Sequence, residues 1–139
     1  MPDGSVFARV HVLVLCDEVQ RLSAAEAVYD LRRVRTGIRA SSFPYTHPQL
    51  CMYFQLSGHE GAATGRIVAV REATDEEIAF APIDEVRLWG PLAVVPCWVR
   101  IQHCVFPAPG LYWFQVLLNQ KLVAERRFHV VQVSGGPHG

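Results

Sequence analysis

Alternating apolar and polar positions divide this chain into short segments of strand character, separated by connections rich in glycine and proline. The pattern is sharpest in the C-terminal quarter, which predicts three consecutive strands over residues 98–106, 111–118 and 122–133. Earlier segments with the same character predict further strands at residues 6–16, 28–39, 50–57 and 66–71, and a short one at 78–82. This total of seven to eight strands indicates an all-β, antiparallel Greek-key sandwich.

The connections are marked by proline, glycine and acidic residues. Residues 41–48 contain two X-Pro pairs, which predicts a crossing loop because proline cannot donate to a central sheet ladder. Three glycines predict a hairpin loop over residues 58–65, and residues 72–77 are polar and acidic, as expected of a solvated turn.

Two later connections are less regular. Residues 83–97 have weak periodicity and contain the turn-forming Trp89-Gly90-Pro91, so we interpret them as a linking segment that covers a sheet edge. The last hairpin carries Asn119-Gln120 where Asp-Gly or Asn-Gly is usual, and its turn is therefore expected to exceed two residues.

One stretch, residues 23–34, supports two interpretations. Ser23-Ala24-Ala25-Glu26 has the form of a capping box, and apolar residues then recur every three positions, which favours a helix. Around Thr36 the alternation has a strand period instead. We predict a single turn near residues 23–27 and then a strand over residues 28–39, with a longer helix as the alternative.

The strand over residues 111–118 is apolar on both faces. Tyr112 follows the turn Pro109-Gly110, and we expect it to bury its ring and to bond its hydroxyl to nearby backbone. The opposite face carries Leu111, Trp113 and Leu117, which is unusually apolar for a side turned to solvent. Either another element covers this face or it is an interface, and these three residues are the predicted interface.

The short segments that interrupt the strands resemble those of a known group of proteins. The similar segments are Cys16-Asp17-Glu18-Val19, the stretch from Thr36-Gly37-Ile38-Arg39 through Phe43-Pro44, and Pro109-Gly110-Leu111-Tyr112. They resemble segments of small, uncharacterised bacterial proteins that are predicted as a domain of unknown function, and the resemblance extends over roughly residues 8–131. It implies a single immunoglobulin-like β-sandwich, and it implies no activity, cofactor or site residue.

Composition narrows the class of protein. A chain of 139 residues fits one domain, which we place at residues 1–133, with a flexible tail at 134–139. The 13 basic and 13 acidic side chains cancel. This balance argues against nucleic acid as a partner, since binding phosphates requires an excess of Lys and Arg, and it favours self-association. The longest apolar run, residues 10–16, is too short for a membrane helix, and no signal peptide is recognisable, so we expect a cytoplasmic protein.

The chemically active residues form no pattern typical of catalysis. No zinc spacing, nucleophile elbow or phosphate loop occurs, and we therefore predict no catalytic residue, no metal site and no cofactor. Folding could assemble a Cys–His pair, for instance Cys16 with His11 or Cys51 with His103. The cysteines lie in apolar segments without Cys-x-x-Cys spacing and are expected to be reduced core residues: Cys16, Cys51, Cys97 and Cys104.

A basic stretch is the remaining unusual feature, and it comprises Arg32, Arg33, Arg35 and Arg39, with Arg126 and Arg127 far along the chain. If the second and last strands were neighbours, these arginines would form one stripe, able to bind a phosphate-bearing ligand or the acidic turn of another copy. An arginine-rich solvent face is the simpler interpretation.

These observations favour a non-enzymatic cytosolic interaction module, which forms a homodimer or binds another protein through its apolar sheet face. The alternative is a small-molecule-binding protein or enzyme, with a site built at one end of the sandwich from loops that carry Tyr45, His47 and His59. A structural subunit of a larger assembly is the third hypothesis.

Overall fold

A computed structural model describes residues 8–134 of the chain. Within these residues the fold consists of strands alone, and no helix is present that could cross a membrane. The strands are β1 (Ala8–Arg21), β2 (Tyr29–Arg35), β3 (Gly37–Ala40), β4 (Tyr45–Arg71), β5 (Glu77–Phe106), β6 (Gly110–Leu118) and β7 (Lys121–Gln132). The start of the first predicted strand, residues 6 and 7, and residues 135–139 of the predicted tail lie outside the described residues.

The architecture depends on one long hairpin, in which β4 and β5 pair along almost their whole length. Residues 51–58 of β4 also pair with β1, whereas residues 65–71 pair with β6. The hairpin therefore belongs to two layers. The first layer has the strand order β2-β1-β4-β5, and the second has the order β5-β4-β6-β7-β3.

The core lies between these layers. Phe54 of the first layer and Phe114 and Phe128 of the second are fully buried, and the rings of Phe114 and Phe128 meet edge to face with centroids 5.2 Å apart. All strand pairs are antiparallel except β3 with β7, which is parallel. The structure is thus an all-β, immunoglobulin-like sandwich, as the sequence predicts.

Two segments that we predicted as connections are parts of strands. Residues 58–65, predicted as a hairpin loop, continue β4, and residues 83–97, predicted as a linking segment, continue β5. Gly65 permits the close approach of β4 to β6, because a Cβ at this position would lie 1.8 Å from the Leu117 carbonyl oxygen. The prolines of β5 are tolerated because β5 is an edge strand, which pairs with β4 alone among the described strands.

The strand interpretation of residues 28–39 is confirmed, and the alternative of a longer helix is wrong. The stretch forms β2 and β3, which are interrupted at Thr36. The capping-box residues form a local turn, in which the Ser23 hydroxyl accepts hydrogen bonds from the Ala25 and Glu26 amides, each at 3.2 Å.

The expectation for Tyr112 is confirmed: the side chain is fully buried, and its hydroxyl donates to the Ala108 carbonyl oxygen at 2.5 Å. The expectation of a longer final turn is wrong. Asn119 and Gln120 alone connect β6 to β7, with φ values of 48° and 70°. The turn is fixed by Thr64 of β4, whose carbonyl oxygen accepts from the Asn119 amide at 2.8 Å.

Candidate functional site

The predicted interface lies on the outer face of the second layer. Along β6 the residues alternate: Tyr112 and Phe114 turn into the core, whereas Leu111, Trp113 and Leu117 are half-buried and turn outward. β6 lies between β4 and β7, so these three side chains occupy the middle of the layer rather than its edge.

Apolar side chains on neighbouring strands extend this surface. Leu122 of β7 is the direct partner of Leu117 and is 50% exposed. Phe80 of β5 is 60% exposed and lies opposite Val68, which in turn pairs with Gln115 on the outer side of β6. We call the surface formed by Leu111, Trp113, Leu117, Phe80 and Leu122 the Trp113 face.

Trp113 itself is partly covered by its own chain. The indole Nε1–H donates to Glu72 Oε1 at 2.9 Å, and the Arg127 guanidinium carbon lies 5.1 Å from the ring centroid. These contacts fix the orientation of the indole, whereas Phe80 on β5 and Leu122 on β7 remain exposed. No other described strand packs against the outer side of this face.

Both charge signs border the Trp113 face. Arg66 lies 3.6 Å from Glu77 at one side, and Gln115 donates to Glu125 at 3.1 Å near the centre. The face thus combines large apolar side chains with amide and ionic groups that lie between and beside them.

A second candidate is a polar cluster at one end of the first layer, formed by Asp17 of β1, Arg35 of β2, and Tyr45 and His47 of β4. Arg35 binds Asp17 with two hydrogen bonds, from Nε at 2.5 Å and from Nη2 at 2.8 Å. His47 is 5% exposed, and its Nε2 lies 2.9 Å from Asp17 Oδ1. Because a carboxylate only accepts, Nε2 donates to Asp17, and Nδ1 lies 2.9 Å from the Tyr45 hydroxyl oxygen.

The environment of Asp17 keeps its carboxylate ionised. Burial disfavours the charge, but the hydrogen bonds from Arg35 and His47 outweigh it and hold the pKa of Asp17 below its ordinary value. The hydrogen bond to Asp17 in turn raises the pKa of Arg35, although burial acts in the opposite direction. Gln49 completes the cluster by donating to the Asp17 carbonyl oxygen at 3.0 Å.

An open groove of about 540 Å³ borders this polar cluster, with Asp17, Arg33, His47 and Gln49 among its lining residues. The loop-built site of the sequence analysis is therefore only partly assembled. Tyr45 and His47 are together, but they lie on β4 rather than on a loop, and His59 lies far along the same strand, beyond the pairing of Gly58 with Ala8.

The other sequence-derived groupings are not assembled in the described residues. The two Cys–His pairs considered were Cys16 with His11 and Cys51 with His103. In the structure His11 contacts the Ser57 hydroxyl at 2.7 Å, and Cys51 donates to the Asp17 carbonyl oxygen at 3.7 Å. The acidic turn over residues 72–77 is exposed apart from its contact with Trp113. Within residues 8–134, no three His, Cys, Asp or Glu side chains are grouped so that they could hold a metal ion.

The arginines do not form one stripe across β2 and β7, because β2 pairs with β1. Arg39 lies on β3, beside β7, while Arg35 is held by Asp17 and Arg32 donates to Gln20 at 3.2 Å. Sequence reasoning missed the contact of Asp17 with Arg35 and His47, because these residues are distant in the chain and only the strand register brings them together.

The described residues form a small all-β protein with an immunoglobulin-like fold. Residues 11–131 match the family described as "Family of unknown function (DUF6941)", and the chain belongs to this family. No curated protein matches the chain.

Among solved structures, the chain is similar to an immunoglobulin-like protein from Pseudomonas aeruginosa known from a crystal structure. The two sequences are 16% identical, the alignment covers 89% of this chain and 96% of that chain, and the TM-score is 0.47.

Proposed function

We propose that this protein is a non-enzymatic cytoplasmic interaction module that forms a homodimer through the Trp113 face. The observation that carries the proposal is the exposure of large apolar side chains on the outer face of one layer, with Phe80 at 60% and Leu122 at 50%. Contiguous apolar surface of this kind marks an interaction site more often than scattered exposed residues do.

The size of the face suits a dimer. Four strands at about 4.8 Å spacing and a β6 strand of 9 residues at about 3.3 Å each give a plane of roughly 600 Å² before side-chain relief is counted. Standard interfaces bury about 800 Å² per partner. Zero net charge and a rim that carries both signs allow two identical faces to meet about a twofold axis without like-charge repulsion.

The edge formed by β5 is less suitable for association than this face. β5 is the edge strand of both layers, but it contains Pro82, Pro91 and Pro96, which lack the amide hydrogen that strand addition requires. Association through side chains of the Trp113 face therefore fits the molecule better than pairing of two β5 edges.

Light scattering after size-exclusion chromatography, over a range of protein concentrations, tests the proposal. We expect twice the chain mass for the wild type, and the mass of one chain for Trp113→Asp and for Phe80→Asp. Trp89→Asp is the matched control, because Trp89 lies outside the face. Like Phe80 it is 60% exposed, and like Trp113 it lies beside an arginine, with the Arg87 guanidinium carbon 5.2 Å from its ring centroid. The control should remain dimeric.

Two results would refute the proposal: a monomeric wild type at all concentrations, or a Phe80→Asp variant that keeps the dimer mass. Phe80 is exposed, so its substitution tests the interface even if Trp113→Asp proves poorly folded. Particles much larger than a dimer would favour the assembly-subunit hypothesis instead.

The groove beside the polar cluster supports a second proposal, a small-molecule site. Its argument is chemical: buried His47 and the ion pair of Asp17 with Arg35 lie next to an opening of about 540 Å³, which is within the range of ligand pockets. Thermal shift measurements with small carboxylates and phosphates test it. Stabilisation of the wild type that is lost in Arg33→Gln would support the site, and no stabilisation by any compound would oppose it.

A further inference from the structure

Two cysteines face each other across neighbouring strands of the first layer. Cys16 of β1 and Cys51 of β4 are direct partners in the antiparallel register, and both are fully buried. Cross-strand partners project to the same side of a sheet with Cβ atoms about 4.5–5.5 Å apart. A disulfide requires Cα atoms about 4.4–6.8 Å apart, a range that direct partners in antiparallel strands meet.

The two thiols lie on the outer side of the first layer, away from the main core. They form a small apolar cluster with Val19 and Tyr53, and Trp98 packs against it. The adjacent register pair, Leu15 with Met52, belongs to the main core on the other side.

Both sulfur atoms contact the same short stretch of β1. Cys16 Sγ–H donates to the Glu18 carbonyl oxygen at 3.4 Å, and Cys51 Sγ–H donates to the Asp17 carbonyl oxygen at 3.7 Å. The two acceptors belong to consecutive residues of β1, so both thiols bond to the backbone of that strand. The direct register pairing of Cys16 with Cys51 is what brings the two side chains together.

The other two cysteines have no such arrangement. Cys97 pairs across the hairpin with Phe54, and Cys104 pairs with His47, so neither has a cysteine partner in the register. All four thiols are reduced in the structure.

We propose that Cys16 and Cys51 form an oxidisable dithiol site, which hydrogen peroxide converts to a cross-strand disulfide. One cysteine, as the thiolate, attacks an oxygen of the peroxide; the O–O bond breaks, and a sulfenic acid and hydroxide form. The second thiol attacks the sulfenic sulfur, the S–O bond breaks, and water leaves. Two thiols thereby lose two electrons and two protons, and the peroxide is reduced to two molecules of water.

The surroundings make this a slow reaction. Burial raises the pKa of Cys16 to about 11 and also raises the pKa of Cys51, so the reactive thiolate is scarce at neutral pH. The disulfide would also remove both S–H donors from the Asp17 and Glu18 carbonyl oxygens. Oxidation therefore alters the backbone that presents the Asp17 carboxylate to Arg35 and His47.

Mass spectrometry of the full chain tests the proposal directly, because trypsin places each cysteine in its own peptide: residues 10–21, 40–66, 88–100 and 101–121. After exposure to peroxide and alkylation of remaining thiols, we expect a loss of two hydrogens. We also expect one reducible link between peptides 10–21 and 40–66, with Cys97 and Cys104 alkylated.

Variants supply the controls. Cys97→Ser with Cys104→Ser should form the same link at an unchanged rate, whereas Cys51→Ser should form none. The Trp113→Asp variant should oxidise like the wild type, so failure here is distinguishable from failure of the dimer proposal. The inference is overturned if the wild type forms no link, if it gains oxygen atoms on single cysteines only, or if the link joins two chains.

Discussion

Replacing Asp17 by asparagine tests how far the polar cluster stabilises the first layer. The carboxylate accepts two hydrogen bonds from Arg35 and one from His47. The asparagine has no charge, and in either orientation of its amide the nitrogen faces a donor: Arg35 Nη2 at the position of Oδ2, or Arg35 Nε and His47 Nε2 at the position of Oδ1. His47 is buried and cannot turn to water instead.

The magnitude follows from the exposure of the partners. Hydrogen bonds to charged groups contribute about 1.5–3 kcal/mol each, and breaking a fully buried ion pair costs about 3–5 kcal/mol. The Arg35 and Asp17 side chains are 29% and 15% exposed, so water can partly replace the lost partner. We expect the free energy of unfolding to fall by about 2–3 kcal/mol.

Urea denaturation at neutral pH measures this loss, and a pH series checks its origin. The pKa of Asp17 is lower in the folded chain than in the unfolded chain. The contribution of Asp17 to the free energy of unfolding is therefore present above its unfolded pKa of about 3.9. It is lost as pH falls through the lower pKa of the folded chain. The difference between wild type and Asp17→Asn should shrink below about pH 4.

Asp30→Asn is the matched control, because Asp30 is an exposed aspartate on the adjacent strand β2. It should change the free energy of unfolding by less than about 0.5 kcal/mol. A loss for Asp17→Asn as small as that of the control, or a difference that persists unchanged at low pH, would refute the reasoning.

Three further substitutions test the fold. Gly65→Ala should destabilise the protein by several kcal/mol or prevent folding, because its Cβ would overlap the Leu117 carbonyl oxygen. Tyr112→Phe leaves the partly buried Ala108 carbonyl without its donor and should cost about 1–3 kcal/mol in urea denaturation. Gln120→Gly should raise the free energy of unfolding by about 0.5–1 kcal/mol, because φ is 70° there and glycine adopts it without steric cost.

The outcomes that contradict these expectations are distinct. Normal stability of the Gly65 variant would mean that β4 does not approach β6 as described. An unchanged Tyr112→Phe variant would mean that water satisfies the carbonyl. A loss of stability in the Gln120 variant would mean that the side chain, rather than the backbone, determines the turn.

The closing strands were predictable because local pattern alone determines them. Residues 111–118 and 122–133 were predicted, and the strands are Gly110–Leu118 and Lys121–Gln132. By contrast, residues 58–65 were assigned to a loop because glycine usually weakens a strand. In this fold Gly65 lies where β4 approaches β6 closely, a tertiary requirement that no local pattern shows.

The candidate sites also contain some residues that one strand predicts and others that depend on the pairing of strands. Leu111, Trp113 and Leu117 were predicted from the alternation along one strand, and the structure places them on the outer side of the layer. The additional residues of that face, Phe80 and Leu122, come from strands whose register was unknown. The pairing of Cys16 with Cys51 and the ion pair of Asp17 with Arg35 depend on the same register, and composition carries no sign of them.

The long hairpin of β4 and β5 has a consequence for cooperativity. Both layers contain β4, which pairs with β1 through residues 51–58 and with β6 through residues 65–71, so neither layer keeps its pairing if β4 leaves the sheet. Hydrogen exchange of these two parts of β4 should therefore report the same opening free energy. The turn over residues 72–76 joins strands that are adjacent in sequence, so the ribbon can close from that end and template both layers at once.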